Sequence, residues 1–552
     1  MNFTASYRPQ PGLSPLLKKA GLGLVLFLCV FIPFRSPLAD LTFSGIKALP
    51  DVLILALAAW YCVSVRFRLR FLPQDWVFLA FELWALLSTA VFNGLSPMLW
   101  VYEARSIGVY YVLYFVIRNF GYGKKELGLT ARVLQGTSLP LLALALVEKV
   151  SSKTLLFSKT VLSSINSSDN FGRVYSMFYN PNTYGLFLTL VIVLSLWLGL
   201  RKVIKTPVWM YACLALSLYL TMSRSSMMIL GLALLVLLVT AAREKAVRWK
   251  KLGIHVVIIA AAVFAAVQAA GWGAGKYYDA RAKYLLMDRI REGSSQAAYI
   301  TPVTYTTPQG EDKTGYVFYD ITYLDKECTQ PLNEYGTVVH TKSADYILTS
   351  EGGMKVEEFN ALPEDRQAEL LRQDSAYRDV DRDNKVLEDV RSSLDMSAST
   401  RFNEMKEDKM LTADYNGRLF AVKKAAEIVA DHPLTGAGIG TFGSAASLTW
   451  TPPTLEQYEL RESFYADNQY ACVLAETGAV GMILFLLFLF GTLWHYRKSL
   501  LQVLVCCIIG WFGLFYNILE VQIGAFLLWS ILSFWPGRAS ADEEASRDGA
   551  QA

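Results

Sequence analysis

The stretch Ser463–Trp494, SFYADNQYACVLAETGAVGMILFLLFLFGTLW, decides the class of fold. Its second half is an apolar run of membrane-spanning character, and an acid, an amide and a second acid (Asp467, Asn468, Glu476) stand at its entrance. A spanning helix needs roughly 17 to 25 predominantly apolar residues. Ionisable groups at such a position cost free energy unless they are solvated or used.

The same kind of block recurs along the chain. Of its 552 residues 53% are hydrophobic and 13% aromatic, and only 18% are charged, which is too apolar for a soluble protein of this size. The blocks fall at approximately 16–34, 49–65, 74–92, 99–117, 129–147, 184–200, 207–222, 226–242, 252–271, 468–494, 499–516 and 519–535. Short links with Lys18/Lys19, Arg66/Arg68/Arg70, Arg118/Lys124/Lys125, Arg201/Lys202/Lys205, Arg243 to Lys251 and Arg497/Lys498 alternate with links poor in basic residues. Basic links stay in the cytoplasm. Both termini are therefore expected inside, and the polar stretch from about 273 to 466 outside. LKKAGLGLVLFLCVFIPFRSPLAD has signal-peptide features, but Pro37 stands where a cut after Ala39 wants a small residue, so it reads as a retained first span.

The expected fold class is all-α: a polytopic membrane helix bundle of about twelve transmembrane helices with one large external loop region. Its expected parts are a membrane domain over 1–272 with nine spans, the external region over 273–466, three further spans over 467–535, and a disordered cytoplasmic tail over 536–552. Within the external region, YYDARAKYLLMDRIREG predicts a helix lying along the membrane. YITPVTYTTPQG and GYVFYDITYL predict a small hairpin. The charged run ALPEDRQAELLRQDSAYRDVDRDNKVLEDVRSSLDM predicts a helical, solvated segment.

Composition also excludes function classes. The net charge of +4 is spread between the apolar blocks, so no nucleic-acid surface is expected. Six of the seven cysteines lie in or beside apolar segments, and Cys328 alone lies in the polar region, which can hold no internal disulfide. No CxxC or Cys/His spacing and no histidine pair suggests a metal or other cofactor.

Charged residues near the outer ends of spans are the candidates for chemistry. Arg224 lies in TMSRSSMM, a tight turn that Gly, Ser or Asn would serve more cheaply. It either works or snorkels to headgroups, and function is preferred. Arg173 lies in FGRVYSMFYNPNTYGLFL, where Asn180-Pro181-Asn182 reads as a structural turn opening a helix. Arg418 precedes an amphipathic helix in YNGRLFAVKKAAEIVADHPLTGAGIGTFG, which ends at His432-Pro433. Gly436, Gly438 and Gly440 then follow without the Lys-Ser/Thr of a nucleotide loop, and they read as a turn with unusual backbone angles. Glu82, Glu103 and Arg105 stand inside spans. Glu103 and Arg105, two apart, do not share a helix face, and pairing with other helices is expected for them.

Taken in order, GRVYSMFYNPNTYGLFL, SRSS, GRLFAVKKAAEIVADHPLTGAGIGTFG and DNQYACVLAETGAVG resemble the O-antigen polymerase and O-antigen ligase superfamily. The resemblance covers roughly residues 50 to 535, with about 290 to 410 unmatched. It implies a multi-pass glycosyltransferase of the bacterial plasma (inner) membrane, active on the periplasmic or extracellular face and without a cofactor. The donor it implies is an undecaprenyl-diphosphate-linked oligosaccharide. The acceptor is a glycan hydroxyl, on another lipid-linked repeat for a polymerase or on a lipid A core for a ligase. The lipid bilayer is the setting, and a flippase and a chain-length regulator are implied partners.

The resemblance also implies roles. Arg224 and Arg418 match the family's arginine positions and would clamp the leaving diphosphate bidentately, with Arg173 as a third. Asn468, Arg105 and Glu476 are expected to bind substrate. In the family's ligases a histidine typically precedes the asparagine, proposed to activate the acceptor hydroxyl; here that residue is Asp467. A carboxylate can take a hydroxyl proton, best if burial raises its pKa, whereas neighbouring arginines would lower it. Asp467 is therefore read as a base or an orienting acceptor, ahead of a helix N-cap. An acid at this position is common among the family's polymerases, so polymerase is expected first and ligase second. A secondary transporter is the alternative from another class, but the sequence shows no repeated halves.

Overall fold

A computed structural model describes residues 10, 12–151, 173–178, 180–245, 249–292, 300–306, 312–318, 346–349, 352–355, 358, 361–367, 418–444, 446–447, 457–458, 460 and 465–535. The chain divides into two units, one of residues 1–146, 163–266 and 410–552, the other of 147–162 and 267–409.

Each apolar block of the sequence falls on a helix. These are α1 (Pro15–Leu41), α2 (Leu49–Ser64), α3 (Pro73–Leu87), α4 (Pro97–Arg118), α5 (Lys124–Ser151), α6 (Pro181–Leu200), α7 (Val208–Thr221), α8 (Arg224–Arg243) and α9 (Trp249–Glu292). Further along the chain come α10 (Arg418–Asp431), α11 (Gln469–Tyr496), α12 (Leu500–Gly513) and α13 (Gln522–Ser533). Local chemistry starts several of them. Pro15, Pro73, Pro97 and Pro181 sit at first helical positions, where the missing N–H costs nothing. Ser14, Asn180, Ser223 and Asn468 cap with side-chain oxygens.

The fold class is the expected one, an all-α membrane bundle. Among the described residues, eight helical stretches are long and apolar enough to cross a membrane. α7, α12 and α13 are shorter, and α4 carries Glu103, Arg105 and Arg118, so the count of twelve spans rests on these four. Burial sorts the bundle. The apolar window of α6 is 83% buried in protein and that of α9 is 0% buried, so α6 is central and α9 offers its surface to lipid. α3 packs on α11, α4 on α13 and α2, and α6 on α7 and α8.

Arg118 belongs to the basic links by sequence, yet it is folded inward. It donates to Asp75 Oδ1 at 2.7 Å and pairs also with Oδ2, with side chains 3% and 2% exposed. Tyr111 donates to the same carboxylate at 2.5 Å, and its ring meets Trp529 edge-on at 4.9 Å. This pair and its aromatic cover tie α3, α4 and α13 together.

In the second unit, β1 (Ile300–Thr306) and β2 (Asp312–Phe318) form an antiparallel hairpin with Ile300 opposite Phe318, where the Thr/Tyr/Val-rich stretch predicts one. β3 (Tyr346–Thr349) and β4 (Gly352–Lys355) form a second. The helix expected separately at YYDARAKYLLMDRIREG is the continuation of α9; the Gln268–Lys276 link, QAAGWGAGK, holds three glycines but no proline, and the helix runs through it. Cys328, most of the charged run after Ala361 and the tail 536–552 lie outside the described residues.

Candidate functional site

The entrance of α11 is built around a break. Gly478 leaves the helical region, with φ 65° and ψ −168°, inside an otherwise continuous helix. A break in a membrane helix frees carbonyl groups that lipid cannot satisfy, and the HPLTGAG segment supplies their partners. Ala437 N–H donates to Ala475 O and Gly438 N–H to Glu476 O, both at 2.9 Å. In return Ala479 N–H donates to Pro433 O at 2.9 Å. Trp84 Nε1 from α3 donates to Thr477 O at 2.9 Å. The glycine string, read as a turn in the external loop, therefore lies against the span itself. Its Gly436, Gly438 and Gly440 have φ of 67°, 97° and 84°, the left-handed angles that the turn reading expects.

Beneath it, α10 uses Ala421, Ala425 and Ile428, one helical face, to pack on Ala471, Cys472 and Ala475 of α11. From α11, Glu476 reaches back into the glycine loop. It is 2% exposed, and its Oε1 accepts the N–H groups of Gly440 and Phe442, each at 3.0 Å. Glu476 also lines a small cavity with Glu82, Trp100, Glu103, Gln469 and Glu520. Trp100 Nε1 donates to Glu82 at 3.1 Å, whereas Glu103 Oε2 is buried without a hydrogen-bond partner among the described residues. Sequence reading noted Glu82, Glu103 and Glu476 singly. Glu520, in the link between α12 and α13, completes the group; its local signal, an acid at the start of the apolar block 519–535, was passed over.

A second assembly surrounds the Ser-Arg turn. Arg173 Nε donates to Thr221 O at 3.1 Å, at the C-terminus of α7, and its Nη2 donates to Asn182 Oδ1 at 2.9 Å. Ser223 Oγ donates to the same Asn182 oxygen at 2.8 Å. Asn182 Nδ2 donates to the Tyr516 hydroxyl. Arg224 opens α8 beside this network. Its side chain is exposed and makes no hydrogen bond or ion pair among the described residues. A guanidinium at a helix N-terminus adds its charge to the unsatisfied N–H groups there, which favours an anion.

The α12–α13 link joins the two assemblies. Tyr516 takes the Asn182 contact, while Asn468 Nδ2 donates to Leu514 O at 3.2 Å and Leu519 N–H donates to Gln469 Oε1 at 3.0 Å. Asn468 is the N-cap of α11, and its Oδ1 accepts from Tyr470 and Ala471 N–H at 3.0 and 2.9 Å. Asp467 is thus not the cap; it stands half-buried one residue outside the helix. Loss of solvent first, then Glu520, Cys472, Glu103 and Asp467 nearby, holds the Tyr465 phenol well above its ordinary range. Asp467 therefore stands on the acid-rich side of the entrance.

Arg105 lies elsewhere, 3.6 Å from Asp51 of α2 and over the ring of Tyr102. Arg418 is the first residue of α10, and its side chain lies outside the described residues. Asn182, Tyr516 and Glu520 are the residues that sequence reading passed over as candidates. For Asn182 a signal existed in Asn-Pro-Asn, because one asparagine suffices to cap and the second was left without a task.

Residues 391–486 match the family model described as O-Antigen ligase. No curated protein matches the chain. The matched segment holds α10, the glycine loop, Asp467 and the broken first half of α11. It supports, for this multi-pass membrane protein, the superfamily of O-antigen ligases and polymerases, membrane glycosyltransferases that act on lipid-linked oligosaccharides.

Proposed function

We propose that this chain polymerises undecaprenyl-diphosphate-linked oligosaccharide repeats into a surface polysaccharide, at the outer face of the bacterial plasma membrane. The observation that carries the donor assignment is Arg224, an exposed guanidinium at a helix N-terminus with no partner among the described residues, beside a buried polar network. The acceptor hydroxyl oxygen bonds to C1 of the donor glycan, the C1–O bond to the diphosphate breaks, and the diphosphate leaves with the electron pair. Arg224 and Arg418 hold the diphosphate oxygens and stabilise the growing charge. Asp467 orients the hydroxyl or takes its proton.

Asp467 favours polymerisation over ligation, since it stands where the family's ligases carry histidine and does not serve as the cap of α11. The ligase description of the matched family keeps transfer to a lipid A core or other acceptor as the second reading. Deletion of the gene separates them by the mass profile of lipid-linked glycans. A polymerase leaves single repeats without long chains, and a ligase leaves long chains stranded on the carrier. An unchanged profile defeats both.

A further inference from the structure

We propose that Arg173 and Asn182 are positioning residues that set the Ser223–Arg224 turn, leaving Arg224 as the arginine of this pair that meets the diphosphate. The inference rests on the donor reading above and revises the substrate-binding role expected for Arg173.

Hydrogen-bond direction carries it. A guanidinium only donates, so the Asn182 atom facing Arg173 must be the amide oxygen, and the amide nitrogen is turned to Tyr516. Ser223 Oγ, also facing that oxygen, must donate to it, so Ser226 Oγ, 2.7 Å from Ser223 Oγ, donates in turn. Each polarity follows from the arginine. Asn182 is 7% exposed and Ser223 and Ser226 are 0% exposed, so a broken link has no water to replace it.

The turn is held from both sides. Val174 N–H donates to Leu220 O at 3.1 Å and Arg173 to Thr221 O at 3.1 Å, closing the end of α7. Ser223 starts α8, and Trp511 Nε1 donates to Ser225 O at 3.3 Å. Between these anchors Met222 takes a left-handed φ of 49°. Gly185 lets α6 approach closely, since a Cβ there would come within 3.1 Å of the Ser223 Cβ and collide with Ser226 Oγ. Arg173 thus directs two donors into the protein, and the neighbouring Arg224 is the side chain held outward.

The test is a double-mutant cycle on purified protein in vesicles, with a polyprenyl-diphosphate-linked oligosaccharide as donor. Asn182→Ala should lower kcat about tenfold or more and leave donor KM within about twofold, because misplacement weakens transition-state contacts. In the Arg224→Ala background, Asn182→Ala should change kcat less than about twofold, because the group it positions is gone. Equal losses in both backgrounds overturn the positioning role alone. So does a raised donor KM with unchanged kcat, which marks direct ground-state binding. Normal turnover by Arg224→Ala overturns the donor reading as well. If Asn182→Ala does not elute as a monodisperse species, Ser223 replaces it. Ser223→Ala should reproduce the loss and Ser223→Thr, which keeps the hydroxyl, should restore most of it. Full activity of Ser223→Ala overturns the proposal.

Discussion

Gly436 and Gly478 meet backbone to backbone. Both have positive φ, 67° and 65°, and a Cβ on Gly436 would lie 2.5 Å from the nitrogen of Gly478. A left-handed angle alone costs an ordinary residue about 1–2 kcal/mol, and here the obstructing atoms are backbone that cannot step aside. Gly436→Ala and Gly478→Ala should each lower thermal stability in detergent clearly. Gly231→Ala, mid-helix with open space around its Cβ position, should not. Equal stability of all three would contradict the break as drawn.

Glu476 holds the glycine loop by accepting, so the test is whether an acceptor remains. Glu476→Gln keeps an oxygen for Gly440 and Phe442 N–H and should cost little stability. Glu476→Leu leaves two buried N–H groups unsatisfied, at about 1–3 kcal/mol each. Circular dichroism melts of the two variants should diverge, and superimposable melts would show that the contact is dispensable.

For Asp75 and Arg118, removal of one partner leaves a buried charge. Arg118→Met should destabilise by about 3–5 kcal/mol, and Asp75→Asn combined with Arg118→Met should recover part of it. The double variant melting below Arg118→Met would reject this account.

Asp467 and Asn468, though adjacent, should separate. Asn468→Ala removes the cap of α11 and should cost about 1 kcal/mol of stability. Asp467→Asn should leave the melt near wild type and slow glycan elongation. Elongation at the normal rate in Asp467→Asn would remove Asp467 from the chemistry.

Much of this arrangement was legible beforehand. Blocks of apolar residues have no alternative to helix in a bilayer, so the positions of α1 to α9 and α11 to α13 could be read from hydropathy. Caps and first-turn prolines are local, and Asn180 and Asn468 carry their instructions within three residues. The glycine string announced its unusual angles, which depend only on the missing Cβ. The break at Gly478 was not legible, since AETGAVG continues an apolar run without proline. What ends the helical angles there is a partner more than thirty residues away in sequence.

Sequence alone therefore determined where the apolar helices lie, which elements the membrane claims, and which local caps start them. Tertiary structure alone decided that Arg173 donates inward to Asn182, that Arg118 is buried against Asp75, and that Glu520 joins Glu82, Glu103 and Glu476 at one cavity. The physical reason lies in range. Apolar burial and capping act over a few residues of one helix, whereas the partner of a buried polar group can come from any helix that packing brings beside it.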